Sequence, residues 1–114
     1  MNVKTIQEVL DKIEELGWTI TDERENYLLS QFSPAGQDFS ITLCKTDDID
    51  DFIESIYITY QDWDVSYETY LWLDDTGHGK NGAPYDMKDV YEDMEWCKNA
   101  LLQLYNDLRE SEGN

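Results

Sequence analysis

Cations are scarce in this sequence. Eight lysines and arginines stand against 26 aspartates and glutamates in 114 residues, for a formal net charge of −18. A chain so poor in cations repels phosphate backbones and anionic lipid, which excludes direct binding to nucleic acid or to a membrane surface. Cysteine occurs only at Cys44 and Cys97, far apart and without ligand-like neighbours. That excludes a disulfide framework or a cysteine metal site, and both thiols read as core residues in a reducing cytoplasm. His78 is the single histidine, and no serine or cysteine stands at a spacing that would build a nucleophilic triad on it. No apolar run approaches the roughly 20 residues of a membrane span. Residues 1–4, Met-Asn-Val-Lys, lead directly into an amphipathic pattern rather than a signal-peptide core, so the expected compartment is the cytoplasm.

What is present suits one compact α+β domain over residues 1–114. Apolar residues make up 40% of the chain, with four tryptophans, eight tyrosines and three phenylalanines, enough for a single core. Thr5-x-x-Glu8 is a capping box ahead of a helical stripe of Ile6, Val9, Leu10, Ile13 and Leu16, which Gly17 ends. Residues 18–21, 27–32 and 39–43 alternate as strands, with a turn at 33–37, and predict a three-stranded antiparallel meander. A second helix, capped by Thr46 or Asp47, buries Ile49, Phe52, Ile53, Ile56, Tyr57 and Tyr60. Residues 64–73 fit a helix or a strand, with helix favoured. A glycine-rich loop over 74–85 reads as a connector that can be shortened at little cost to stability.

The last helix is long. Asp86-x-x-Asp89 caps it, and Tyr85 is placed to staple onto Val90. Val90, Met94, Cys97, Leu101, Leu104 and Leu108 form a heptad seam. Laid across the domain, the seam gives a monomer; paired with a second copy, it gives a homodimeric adaptor. Residues 110–114 are expected to fray.

The charge is unevenly placed. Residues 46–79 hold ten acids and no lysine or arginine. Asp47, Asp50, Asp51 and Glu54 avoid the apolar stripe of the second helix, and Asp62, Asp64, Glu68, Asp74 and Asp75 continue the series. Like charges four apart destabilise a helix, and no lysine is interspersed to relieve them. One reading is a face kept for solubility. The other is a surface that stands in for phosphates and competes for the ordered cations of a DNA-binding protein.

Two motifs fail on inspection. Gly77-His78-Gly79-Lys80-Asn81-Gly82 matches a dinucleotide fingerprint, but only one helix follows it and Ala83-Pro84 intervenes. Asp62-x-Asp64-x-Ser66-x-Glu68 opens like a calcium loop, yet Tyr67 occupies the glycine position and Leu73 the bidentate-glutamate position. No catalytic constellation and no cofactor site emerge.

The pattern resembles the small phage-encoded anti-CRISPR proteins that block the type II RNA-guided nuclease. The resemblance is carried by Met1-Asn2-Val3, Gly17-Trp18-Thr19-Ile20, Phe39-Ser40-Ile41, Asp50-Asp51-Phe52-Ile53-Glu54, Asp62-Trp63 and Val90-Tyr91-Glu92-Asp93-Met94. It implies a non-catalytic inhibitor in a bacterial host cell whose acidic surface occupies the site that reads the PAM duplex. Gly36, Gln37 and Asp38 match that family's hairpin tip, although Pro34 and Ala35 stand where it has an amide and an acid. Asp62, Asp64 and Glu68 match its second contact. Beside that family the segment 70–84 looks like an insertion, and residues 72–87 resemble acidic proteins of bacterial conjugative elements and phages. The expected partner is a basic nucleic-acid-handling protein, contacted also by His78 and Lys80 in the loop beside the acids.

Overall fold

The computed structural model describes residues 5–80 and 82–112; the Met1-Asn2-Val3 start and Asn81 lie outside the described residues. Helix α1 (Ile6–Glu15) begins where Thr5 turns extended and its hydroxyl accepts the Glu8 amide at 3.1 Å. It ends in a Schellman closure. Trp18 donates to the Ile13 carbonyl and Gly17 to that of Glu14, and Gly17 takes φ +104°, where a side chain would be strained.

Strands β1 (Thr19–Asp22), β2 (Asn26–Phe32) and β3 (Asp38–Cys44) form an antiparallel sheet in chain order. Register puts Ile20, Leu29 and Ile41 side by side on the face that meets the helices. Thr21, Leu28 and Thr42 line up on the outer face. The same alternation corrects one expectation. Along β3 the odd positions are buried and the even ones exposed, so Cys44 is on the surface and only Cys97 is a core thiol.

Helix α2 (Ile49–Asp62) is capped by Asp48, which accepts the Asp51 amide at 3.0 Å, and not by Thr46 or Asp47. Thr46 instead takes the Asp48 amide through its hydroxyl. Phe52, Ile53 and Ile56 are fully buried. Residues 65–71 are helical rather than extended. In α3 (Val65–Leu71), the Asp64 carboxylate caps the Tyr67 amide, and Val65 and Thr69, one turn apart, face inward.

Helix α4 (Met87–Glu112) runs about 39 Å and packs on α1, α2 and α3. It is helical through Glu112, and the last two residues of the expected frayed tail, 113–114, lie outside the described residues. All six seam residues are at most 2% exposed within the single chain. Pairing this seam with a second copy would require the core to open. Tyr85 does not serve as a staple. Its ring is exposed and stacks on His78 at 4.0 Å between centroids.

The loop over 74–85 is itself folded. The Asp74 carboxylate accepts the Thr76 hydroxyl at 2.6 Å and the Thr76 and His78 amides at 2.9 and 3.2 Å. Lys80 donates its amide to the Trp72 carbonyl and Gly79 to that of Tyr85, and a Cβ on Gly79 would collide with the Pro84 carbonyl. Shortening this loop would therefore remove structure rather than slack.

Candidate partner-binding surface

Apart from Glu68, the acids of 46–79 fall into three groups that the fold treats differently. The first surrounds the N-terminus of α2. Here α4 runs past in the opposite sense and delivers Arg109, which bonds Asp50 at 2.8 Å and Glu54 at 2.9 Å. Arg109 also lies over the Tyr105 ring, whose hydroxyl meets Glu54 at 3.4 Å. The charge repulsion expected on α2 is thus relieved in three dimensions by a residue 55 and more positions away. Asp50 and Glu54 are held by that cation, whereas Asp47 and Asp51 are exposed with no side-chain partner among the described residues.

The second group sits at the corner between α2 and α3. Asp62 is exposed, while Asp64 is committed to its cap. Lys98 closes the corner from α4, donating to the Trp63 carbonyl at 2.9 Å, and the Trp63 indole donates to the Met94 carbonyl at 3.2 Å. Asp50 and Asp62 are about 18 Å apart along the helix axis. Between them the solvent face carries the exposed Ile58. The third group is Asp74 and Asp75 in the loop. The Asp74 carboxyl is held below the usual range by the Thr76 hydroxyl, then by the His78 and Thr76 amides, against a small opposing loss of solvent. Asp75 and Lys80 are exposed and His78 half-buried.

Glu68 differs from the rest. It is half-buried, and its pKa is raised, first by loss of solvent and then by the charge of Asp64. The thiol of Cys97 is pushed up to about 12 by burial, with smaller pushes from Asp93 and Glu68. Because folded Glu68 holds a proton at pH values where the unfolded residue has lost it, its charge opposes folding at neutral pH. That penalty fades as pH falls through the folded value. Glu68→Gln is expected to raise the melting temperature near pH 7 and to leave it almost unchanged near pH 3, as thermal denaturation at the two pH values would report.

The hairpin tip is placed otherwise than expected. Gln37 is 4% exposed, its backbone amide bonded to the Ser33 hydroxyl and its side-chain amide to the Gly82 carbonyl at 3.2 Å. Its role is internal, joining hairpin to loop, while Gly36 and Asp38 on either side of it are exposed. The residue that secures this arrangement, Asp93, was not among the expected site residues. It is 5% exposed and accepts the Ser33 hydroxyl at 2.5 Å and the Ala35 amide at 3.2 Å. Its signal in the sequence was faint, an acid on the flank of the α4 seam beside Met94.

Among the described residues, no three His, Cys, Asp or Glu side chains are grouped to hold a metal ion, and no helix is long and apolar enough to cross a membrane. No family model matches the chain, and neither a curated protein nor a solved structure is similar to it.

Proposed function

We propose that the protein is a non-catalytic inhibitor that offers its carboxylates to the cationic groove of a nucleic-acid-handling protein, as an anti-CRISPR or anti-restriction DNA mimic does. The observation that carries this reading is the linear density of charge on a rigid support. Four carboxylates stand on α2 itself, Asp50, Asp51, Glu54 and Asp62, and Asp47, Asp48 and Asp64 flank its two ends. Seven acids thus crowd into this stretch with no lysine or arginine among them. The four on the helix, which is roughly 21 Å long, average about one charge per 5 Å, against about 3.4 Å along a single strand of duplex DNA. The support is rigid because Phe52, Ile53 and Ile56 anchor α2 in the core. Arg109 withdraws Asp50 and Glu54 in part, which leaves Asp47, Asp51, Asp62 and Asp75 as the acids best placed to meet a partner's lysines and arginines.

Those four make the cleanest test, because none of them caps a helix or joins an ion pair. Neutralising Asp62, Asp64 and Glu68 together would mix charge with a helix cap and a half-buried site. The combined Asp47→Asn, Asp51→Asn, Asp62→Asn, Asp75→Asn protein is expected to keep its melting temperature. It should bind its partner, captured from a bacterial lysate at low salt, about tenfold more weakly, and the parent's affinity should fall steeply as salt rises. Duplex DNA should compete for the captured protein. Undiminished binding by the fourfold variant, or a captured protein indifferent to DNA, would refute the reading.

A further inference from the structure

The sheet offers a second surface, which shares only Asp47 with the acids best placed on and around the acidic helix. β3 is its outermost strand on one side. Ser33 donates to Gln37 and Lys45 to Glu25, which sets the parity of the β2–β3 ladder. Phe39, Ile41 and Leu43 therefore direct their amides and carbonyls to β2, and Asp38, Ser40, Thr42 and Cys44 direct theirs to the open side. Among the described residues those four outward backbone sites have no bonding partner, and their side chains are exposed.

Natural sheets blunt such an edge with proline, a bulge or an inserted lysine. β3 has none of these. Its seven residues pair one to one with β2 without interruption and contain no proline or lysine. Lys45, just beyond the strand, turns across the Tyr27 ring to bond Asp22 and leaves the edge unguarded. The other edge strand, β1, has only four residues. The charge pattern along β3 is equally particular for a chain of net charge −18. Residues 39–44 are neutral, while Asp38 marks one end and Asp47 and Asp48 follow the other.

We propose that the β3 edge takes up an extended segment of a partner protein as a fourth strand, neutral through its middle and carrying lysine or arginine at both ends. Backbone bonds from Ser40 and Thr42 hold the segment, and the acids at the two ends of β3 select its flanking cations. A second copy of this chain is the poorer occupant. Antiparallel pairing about Ile41 would set each Asp38 opposite the other copy's Cys44, and so toward its Asp47 and Asp48.

The probe is a synthetic peptide of alternating threonine and valine with lysine pairs at both ends. On titration the Ser40 and Thr42 amides are expected to exchange with solvent at least about tenfold more slowly. N-methylation of one pairing amide in the peptide should weaken binding about tenfold, and glutamate ends should weaken it further. Thr42→Pro removes one edge donor at a position where an edge strand tolerates proline, and should abolish binding. Should that variant fail to fold, the N-methylated peptide decides the matter on the unaltered protein. The proposal is overturned by equal binding of the N-methylated peptide, or by salt-sensitive binding that leaves Ser40 and Thr42 exchange unchanged. It is equally overturned by no binding, or by protection of those amides that grows with protein concentration alone. None of these outcomes bears on the acidic-helix reading at Asp51, Asp62 and Asp75; Asp47 alone of its four test acids is common to both surfaces.

Discussion

Leu104→Ala is expected to lower the free energy of unfolding by about 2–5 kcal/mol, with no dependence on protein concentration. Leu104 is 2% exposed and lies in the C-terminal part of the α4 seam, between Leu101 and Leu108, both fully buried. Truncation removes three carbon atoms from a close-packed interior and leaves a void that helices on either side cannot fill without moving. The size of the loss depends on how well the site collapses. Leu104 borders a shallow groove shared with Leu16, Trp18 and Trp96, so solvent or a rotated Trp96 can reach part of the void. The cost is accordingly expected in the lower half of the range, and Leu101→Ala in the upper half. Were the seam a dimer contact, the same change would shift a monomer–dimer balance and stability would depend on concentration. Urea unfolding at two concentrations tenfold apart, with sedimentation on the parent, separates the two cases. Coincident curves and a monomeric parent are expected.

Which parts of this architecture were legible in the sequence follows from the range of the forces involved. The α1 stripe, the alternation of β3 and the seam of α4 are each written in consecutive residues, because a helix or strand has to turn one face inward at a fixed period. The Thr5 cap and the Gly17 stop are equally local. The cap of α2 is ambiguous in sequence by one or two positions because Thr46, Asp47 and Asp48 are all competent caps, and only the fold shows that Asp48 takes the role. Residue type alone puts Cys44 in the core, whereas its even position beside Leu43 turns it outward. The roles of Gln37, Asp50 and Glu54 could not be read at all. They depend on Gly82 and Arg109, brought close only when the chain folds. An acid that looks free in sequence is free only if the fold delivers no cation to it. That is why the candidate surface contracts to Asp47, Asp51, Asp62 and Asp75, with Asp38 at the hairpin.

Asp93→Ala is expected to cost about 2–4 kcal/mol, more than any single change on the acidic surface. Its carboxylate is nearly buried, and both of its oxygens are used, one by the Ser33 hydroxyl and one by the Ala35 amide. Alanine would leave those donors without an acceptor in a place that solvent reaches poorly, and an unmet buried donor costs more than a made bond gains. The loss would spread along the chain of contacts. The Ser33 hydroxyl accepts the Gln37 amide, and Gln37 reaches the Gly82 carbonyl, so one carboxylate on α4 secures the hairpin tip and, through it, the loop. Asp93→Asn keeps an acceptor and should cost roughly half as much. Ser33→Ala combined with Asp93→Ala should cost clearly less than the sum of the two, because each removes the same bond. The effect should also be local at first, with faster amide exchange at Gly36 and Gln37 before any change at Leu101 or Leu104. A cost within 0.5 kcal/mol of zero, the range of an ordinary surface substitution, would show that the hairpin is held by its own turn and that Asp93 is not its anchor.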